Sequence, residues 1–248
     1  MSELKKWFTG NTDLVISKYD HYLDVYERYF SKFVDTSPRV LEIGVCHGGS
    51  LQMWANFFGV GASIHGLDIN PNCKEVERNG VCIHIGDQTD CEFLCQVVEE
   101  IGTPDIIIDD GGHSMKQQQI SFDYLFPKLA EGGVYLCEDL HTSYWRKGYG
   151  GGYRRRGSFI EYLKRLIDKM HAFHSQSSLL TSDFMTENIE GIHFHDSIVV
   201  IEKSHRSKPK QITSGTKRVE DLKKILWYRH PRKWLKIRLN ASQANEEG

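Results

Sequence analysis

The 248-residue sequence contains no apolar run of the roughly 18–20 residues that a membrane-spanning helix requires. Its first residues, Met1-Ser-Glu-Leu-Lys-Lys-Trp7, lack the apolar segment of a secretory signal, so a cytoplasmic location is expected. Cysteine is sparse, and positions 46, 73, 82, 91, 95 and 137 are scattered. Small buried thiols are the natural reading in a reducing compartment, not disulfides. Cys91 and Cys95 share a helical face, but without a second pair they make a poor zinc site. There is no Gly-x-x-x-x-Gly-Lys-Ser/Thr loop for cradling phosphates, and no Gly-x-Gly-x-x-Gly for a pyrophosphate. Internal repeats are also missing.

What is present is an alternation. Strand-like runs lie at about 39–44, 62–67, 81–85, 104–109 and 132–137, with helix-like segments at about 49–59, 72–79, 89–100 and 115–129 between them. Strands alternating with helices predict a parallel sheet covered on both faces. Ile106-Ile107-Ile108 is apolar without alternation, as a strand buried on both sides should be. Aromatic and aliphatic residues from Tyr19 to Phe33 recur at helical spacing and predict an N-terminal helix over 13–34, ended before Pro38. Ser158 reads as the N-cap of a helix running to about Phe173. Residues 191–194 and 198–202 straddle His195-Asp196-Ser197 as a hairpin. The domain reading is a helical segment at 1–37, a catalytic domain at 38–204 and a basic helical tail at 205–248.

Net charge is close to balanced at −2, but its distribution is not. From Lys203 to Arg238 there are thirteen Lys or Arg against Glu220 and Asp221. A last helix is predicted over 217–228. The tail either packs Leu222, Ile225, Leu226 and Trp227 on the core or lies on an anionic membrane surface. No RNA-binding motif accompanies the charge, so nucleic acid is not expected as a partner.

The chemistry gathers where strands end. Glu42-Ile-Gly44-Val-Cys-His-Gly48-Gly49-Ser50 follows the first strand and opens a helix. Glycine there lets backbone approach a ligand closely and turn tightly. Glu42 would repel a phosphate but suits an ammonium. Asp68, ending the second strand, is placed to accept hydrogen bonds from ribose hydroxyls. Gly86-Asp87-Gln88 can offer a carboxylate and an amide to an adenine edge. Asp109-Asp110-Gly-Gly-His113 and Glu138-Asp139-Leu-His141 end the fourth and fifth strands. Asp110, Glu138 and Asp139 offer only oxygen donors, which suit Mg²⁺ or Mn²⁺. Crowded carboxylates repel, and a cation is the simplest compensation. The alternative is that these acids cap the helices that follow them. Histidine ordinarily titrates near pH 6.5 (about), so His113, three residues on from Asp110, suits a general base. His141 is a second candidate base or acceptor contact. Asp109 faces the cofactor or assists the metal, and strand alternation points it away from Asp110. The stretch 142–157, rich in Gly, aromatics and Arg, is either a lid whose rings stack on an acceptor or an unstructured insertion.

Glu42, Gly44, Gly48, Ser50, Asp68, Asp87, Gln88 and Asp109, spread over successive strand ends, look like the S-adenosylmethionine site of class I methyltransferases. From about Ser17 to Phe173 the chain resembles the metal-dependent sugar O-methyltransferases of the mycinamicin and demethylmacrocin type. The residues that carry the likeness are Leu41 to Val45 with Gly48 to Leu51, Asp105 to His113, Ser121-Phe122, and Glu138 to Trp145. The resemblance implies a doubly wound, mostly parallel seven-stranded Rossmann-like sheet with its last strand antiparallel. It assigns Mg²⁺ to Asp110, Glu138 and Asp139, and the base to His113. It also implies a sugar-containing or glycan acceptor, which Arg154, Arg155 and Arg156 would suit if anionic, and a homo-oligomer. The family's long N-terminal extension is missing from this sequence. A NAD-type oxidoreductase and a metal-dependent hydrolase on the same sheet are the alternatives; the first needs a different glycine spacing, and the second leaves Asp68 and Asp87 unemployed.

Overall fold

A computed structural model describes residues 2–78 and 80–216. The chain divides into two compact units, Met1–Pro209 and Lys210–Gly248. The helix predicted over 217–228, and the rest of the basic tail beyond it, lie outside the described residues.

The first unit is a three-layer α/β/α sandwich. Two N-terminal helices, α1 (Glu3–Gly10) and α2 (Tyr22–Phe30), precede strand β1 (Arg39–Ile43). There follow α3 (Gly49–Phe58), β2 (Ser63–Asp68), β3 (Val81–Ile85), α4 (Cys91–Ile101), β4 (Ile106–Asp109), α5 (Met115–Leu125) and β5 (Val134–Cys137). Helix α6 (Phe159–Met170), the short α7 (Phe184–Asn188) and the hairpin β6 (Ile189–His195) and β7 (Ile198–Lys203) complete the unit. The seven strands run in the order β3-β2-β1-β4-β5-β7-β6. β1 to β5 pair in parallel, and β7 is antiparallel to both its neighbours. This is the doubly wound seven-stranded sheet expected of the sequence.

Strand parity sorts the core. Val40, Ile106, Ile108, Val134 and Leu136 face a layer built by α2 and α3, where Tyr22, Tyr26, Phe30, Trp54 and Phe58 are buried. Leu41, Ile43, Ile107, Tyr135 and Cys137 face the opposite layer of α4, α5 and α6. Side chains alternate along each strand, so the same parity fixes where each strand-end acid points.

Two local expectations change. The helix predicted over 13–34 is realised only as α2, Tyr22–Phe30, with α1 an additional helix capped by Ser2, whose Oγ accepts from Lys5 N at 3.3 Å. The connecting residues 12–20 carry no regular helix. The segment expected as a helix at 72–79 is a 3₁₀ turn, Pro71–Val76, where Pro71 sets the first position and Asn70 caps it. Ser158 does cap α6, accepting from Glu161 N at 3.4 Å.

Candidate functional site

The register places the site. Ile43 pairs with Asp109, and Asp109 with Cys137. Gly44, Asp110 and Glu138 therefore stand side by side, one residue past three adjacent strands. Chain order reverses between β1 and β4, and a crevice opens where connections leave such a switch point in opposite directions. A cleft of about 490 Å³ occupies that position. Gly44 (φ +94°) lies directly against the Asp110 carbonyl, and a Cβ there would overlap its oxygen. The glycine is thus required both by conformation and by space.

Of the residues singled out by sequence, Gly44, Ser50, Asp68, Asp87, Gln88, Asp110, His113 and Asp139 line this cleft. Asp68 Oδ2 accepts from Val45 N at 2.8 Å and Cys46 N at 3.1 Å, tying β2 to the glycine turn. Burial works against its charge, but these amides and Asn70 N outweigh it and hold its pKa below the usual aspartate value. Asp87 uses Oδ1 to accept from Thr89 N at 2.7 Å. Gln88 is a scaffold as well as a wall: it donates to Asp109 and Ser121 and accepts from Gly112 N at 2.8 Å.

The other five, Gly48, Asp109, Glu42, His141 and Glu138, do not line it. Gly48 is the left-handed N-cap of α3, covered by Leu14 and Val76. Asp109, by parity, points into the α5 layer, where Tyr135 donates to it at 3.0 Å; burial pushes its pKa up to about 6. Glu42 is fully buried on the opposite face, accepting from Trp54 Nε1 at 3.0 Å. Burial pushes it up to about 7, against the pull of the nearby Lys18 ammonium. His141 sits on the far side of Asp139, its Nδ1 2.6 Å from Ser197 Oγ.

Around Asp110 the structure assembles two charge groups. In one, the ligand atoms of Asp110, His113 and Asp139 lie within 4.8 Å of one another, the only such cluster among the described residues. His113 Nε2 is 3.8 Å from Asp110 Oδ1 and 3.5 Å from Asp139 Oδ2. His113 (φ +54°) and Asp139 (φ +56°) both adopt left-handed backbone, as does Cys46 (φ +49°). Such strain in non-glycine residues, of order 1–3 kcal/mol each, gathers where geometry is over-determined by function. Asp110 and Asp139 offer the oxygen donors that suit a hard divalent ion, with the His113 imidazole beside them.

In the other group, Lys18 was not anticipated from sequence. Its side chain is 4% exposed, and its ammonium bonds Asp110 and, at 2.9 Å, Glu138 Oε2, with Glu42 Oε1 at 4.0 Å. Burial opposes its charge, but these three carboxylates prevail and hold its pKa well above the usual lysine value. Tyr26 donates to the other Glu138 oxygen at 2.7 Å, and Tyr22 to Asp139 Oδ1 at 2.8 Å. The sequence signal for these partners was indirect: an excess of buried acid demands a cation and donors. Beside Asp139 runs an aromatic row, Tyr19, His141, Trp145 and Tyr149, with successive ring centroids 5.9, 4.7 and 5.5 Å apart. The 142–157 stretch that carries Trp145 and Tyr149 is anchored, Tyr149 O accepting from Met115 N at 3.0 Å and Ser143 O from Gly152 N at 2.7 Å.

A doubly wound sheet with a final antiparallel hairpin and a glycine-turn cleft defines the class I methyltransferase fold, and residues 41–140 match the family described as a methyltransferase domain. Residues 41–140 thus carry a methyltransferase domain on this fold. The chain is 36% identical over 199 residues to mycinamicin VI 2''-O-methyltransferase of Micromonospora griseorubida, covering 74% of this chain and 48% of that protein. It is 35% identical over 194 residues to 8-demethyl-8-α-L-rhamnosyl tetracenomycin-C 2'-O-methyltransferase of Streptomyces olivaceus, covering 75% and 51%. The chain thus spans about half the length of the curated relatives it matches. A similar solved structure is the MycE methyltransferase of the mycinamycin biosynthetic pathway in complex with Mg, SAH and mycinamycin VI. It superposes with TM-score 0.72 at 34% identity, over 82% of this chain and 53% of that one.

Proposed function

We propose that the protein is an S-adenosylmethionine-dependent, Mg²⁺-assisted O-methyltransferase acting on a hydroxyl of a sugar-containing acceptor, with His113 as general base. The observation that carries this reading is the convergence of Asp110, Asp139 and His113 on the mouth of the glycine-turn cleft. The names of the related enzymes, O-methyltransferases that include those of a rhamnosyl tetracenomycin and an olivosyl-oleandolide, point the same way.

The donor would lie in the cleft, with Asp68 and Asp87 accepting from its hydroxyl and amino groups, and the Gly44 turn letting it approach the backbone. Asp110 and Asp139, with Glu138 once it is freed, would hold the ion. When bound, the two groups supply an electrophilic methyl carbon and a Lewis acid that favours ionisation of an acceptor hydroxyl. His113 Nε2 faces the space between Asp110 and Asp139, from which it would take the hydroxyl proton. Tyr19, Trp145 and Tyr149 beside Asp139 offer rings on which a sugar can stack, and the arginines at 154–156 suit an anionic acceptor. The role of the walls is alignment, since in-line displacement gains most from holding the reacting atoms in place.

The test is methyl transfer to a panel of glycosides and nucleotide sugars, followed by mass spectrometry. His113→Ala should lose about 10²–10⁴-fold in turnover, as expected for removal of a general base. It should still bind the donor by calorimetry. Asp110→Ala should lose turnover and ion binding together. Full activity in EDTA would remove the metal from the reading, and undiminished turnover in His113→Ala would remove the base.

A further inference from the structure

Residues 11–20 form a strap across the loops that follow β1, β4 and β5, and its attachments are uneven. At one end Gln52 donates to Asp13 at 2.8 Å, Asn11 donates to Leu14 O at 2.9 Å, and the Leu14 and Val15 backbone lies on Gly49, where any Cβ would collide with it. The middle, Val15 to Lys18, is one wall of the donor cleft. Ser17, Lys18 and Tyr19 also enclose a smaller cavity with Asp110, Glu138 and Asp139. At this second end the hold is the Lys18 ammonium, reaching Asp110 and Glu138.

That hold uses the same groups a divalent ion needs. With Lys18 on Oε2 and Tyr26 on Oε1, both Glu138 oxygens are engaged. Glu138 accordingly stands outside the cluster of Asp110, His113 and Asp139 whose ligand atoms converge. An ion drawing Glu138 into its shell would take the place of the ammonium, because two cations sharing the same carboxylates in a dry site repel strongly. The withdrawing lysine has water close by, since the cavity it borders opens beside the exposed Tyr19.

We propose that Lys18 is a positioning residue that latches the strap, and that the divalent ion and the Lys18 ammonium exclude one another at Asp110 and Glu138. Loading the ion then unlatches the strap and opens the donor cleft, so that metal binding precedes donor binding. This inference rests on the metal assignment made above and adds to it an internal competitor for the ion.

Trypsin cleaves after lysine, and Lys18 is protected only while its side chain is buried. On the full chain, Mg²⁺ should accelerate cleavage after Lys18 by about tenfold, the size of an ordinary coupling between two sites. Cleavage after Lys164, an exposed lysine distant from the site in sequence, is the control and should not change. In parallel, Mn²⁺ binding followed by electron paramagnetic resonance should tighten about tenfold in Lys18→Met. Should that variant fail to fold, cleavage of the unaltered protein decides alone. If Mn²⁺ binds the unaltered protein but Lys18 cleavage is unchanged or slowed by Mg²⁺, the latch is overturned while the metal site stands. Equal or weaker Mn²⁺ binding by folded Lys18→Met overturns it in the same way, since ammonium and ion would then sit together. No Mn²⁺ binding at all by the unaltered protein overturns the metal assignment and the latch with it.

Discussion

At the scale of single residues, parity along the strands decides which acids share a charge. Glu42 and Glu138 point with Val40 and Leu136 into the α2–α3 layer, while Asp109 points with Ile107 the other way. One neighbour apart, Asp109 and Asp110 therefore meet Tyr135 and Lys18 respectively. The same attention to partners applies to a histidine pair away from the site. His65 Nδ1 lies 3.2 Å from His84 Nε2, and His65 Nε2 2.8 Å from Ser63 Oγ. Burial, then the neighbouring His84 and Arg39, push the His65 pKa down to about 4. The unfolded chain binds this proton near pH 6.5 (about) and the folded chain only below 4, so stability falls as pH drops through that window. Replacing the imidazole removes the term: His65→Gln should show a flatter Tm against pH between pH 6.5 and 4 than the unaltered protein. The difference should be on the order of 2 kcal/mol at the acid end. Parallel Tm profiles for the two proteins would show that His65 takes no proton-linked part in folding.

Elements add constraints that no residue carries alone. The turn from β1 to α3 works because Gly44 is at φ +94° with the Asp110 carbonyl against it, so the turn and the start of the β4–α5 loop are one packed unit. Gly44→Ala should destabilise the protein by roughly 1–3 kcal/mol in a denaturant titration and weaken donor binding. Gly80 is the comparison: φ is +81° but nothing lies within 4 Å, so Ala there costs only the backbone term. Equal losses at both positions would mean that the close approach at Gly44 has no energetic consequence. The N-terminal helix shows where element-scale reading from sequence failed. The aromatic spacing at Tyr22, Tyr26 and Phe30 is real and builds α2. Tyr19 fits the same period but is 53% exposed, and residues 12–20 run as a strap. Periodicity records which side chains are apolar; it does not record that a lysine in the same stretch is being drawn toward buried acids.

For the molecule as a whole, the sheet order puts the glycine turn and the acid cluster on adjacent central strands, at the carboxyl ends where α/β connections diverge. A donor product and an ion bound there should raise Tm together. At about 100 times its Kd, S-adenosylhomocysteine contributes about 2.7 kcal/mol of stabilisation. For a unit of this size that corresponds to a rise of roughly 5–10 °C by scanning fluorimetry. The rise should be larger with Mg²⁺ than the sum of the separate rises, if the ion opens the cleft to the donor. An unchanged Tm under saturating S-adenosylhomocysteine would remove the donor assignment. The five parallel strands, their alternation with helices and the chemistry at their ends were legible in the chain, because each is set by neighbours a few residues apart. Glu42 shows the limit: an acid just before a glycine turn reads as a ligand contact, and the fold instead buries it against Trp54 and Lys18. Sequence alone determined the sheet and the supply of carboxylates. Only the tertiary structure decided which cation answers them, because Lys18 is 92 residues from Asp110 and 120 from Glu138. No local period links positions so far apart; they meet because burying Glu42 and Glu138 beside Asp110 without a positive charge is unfavourable.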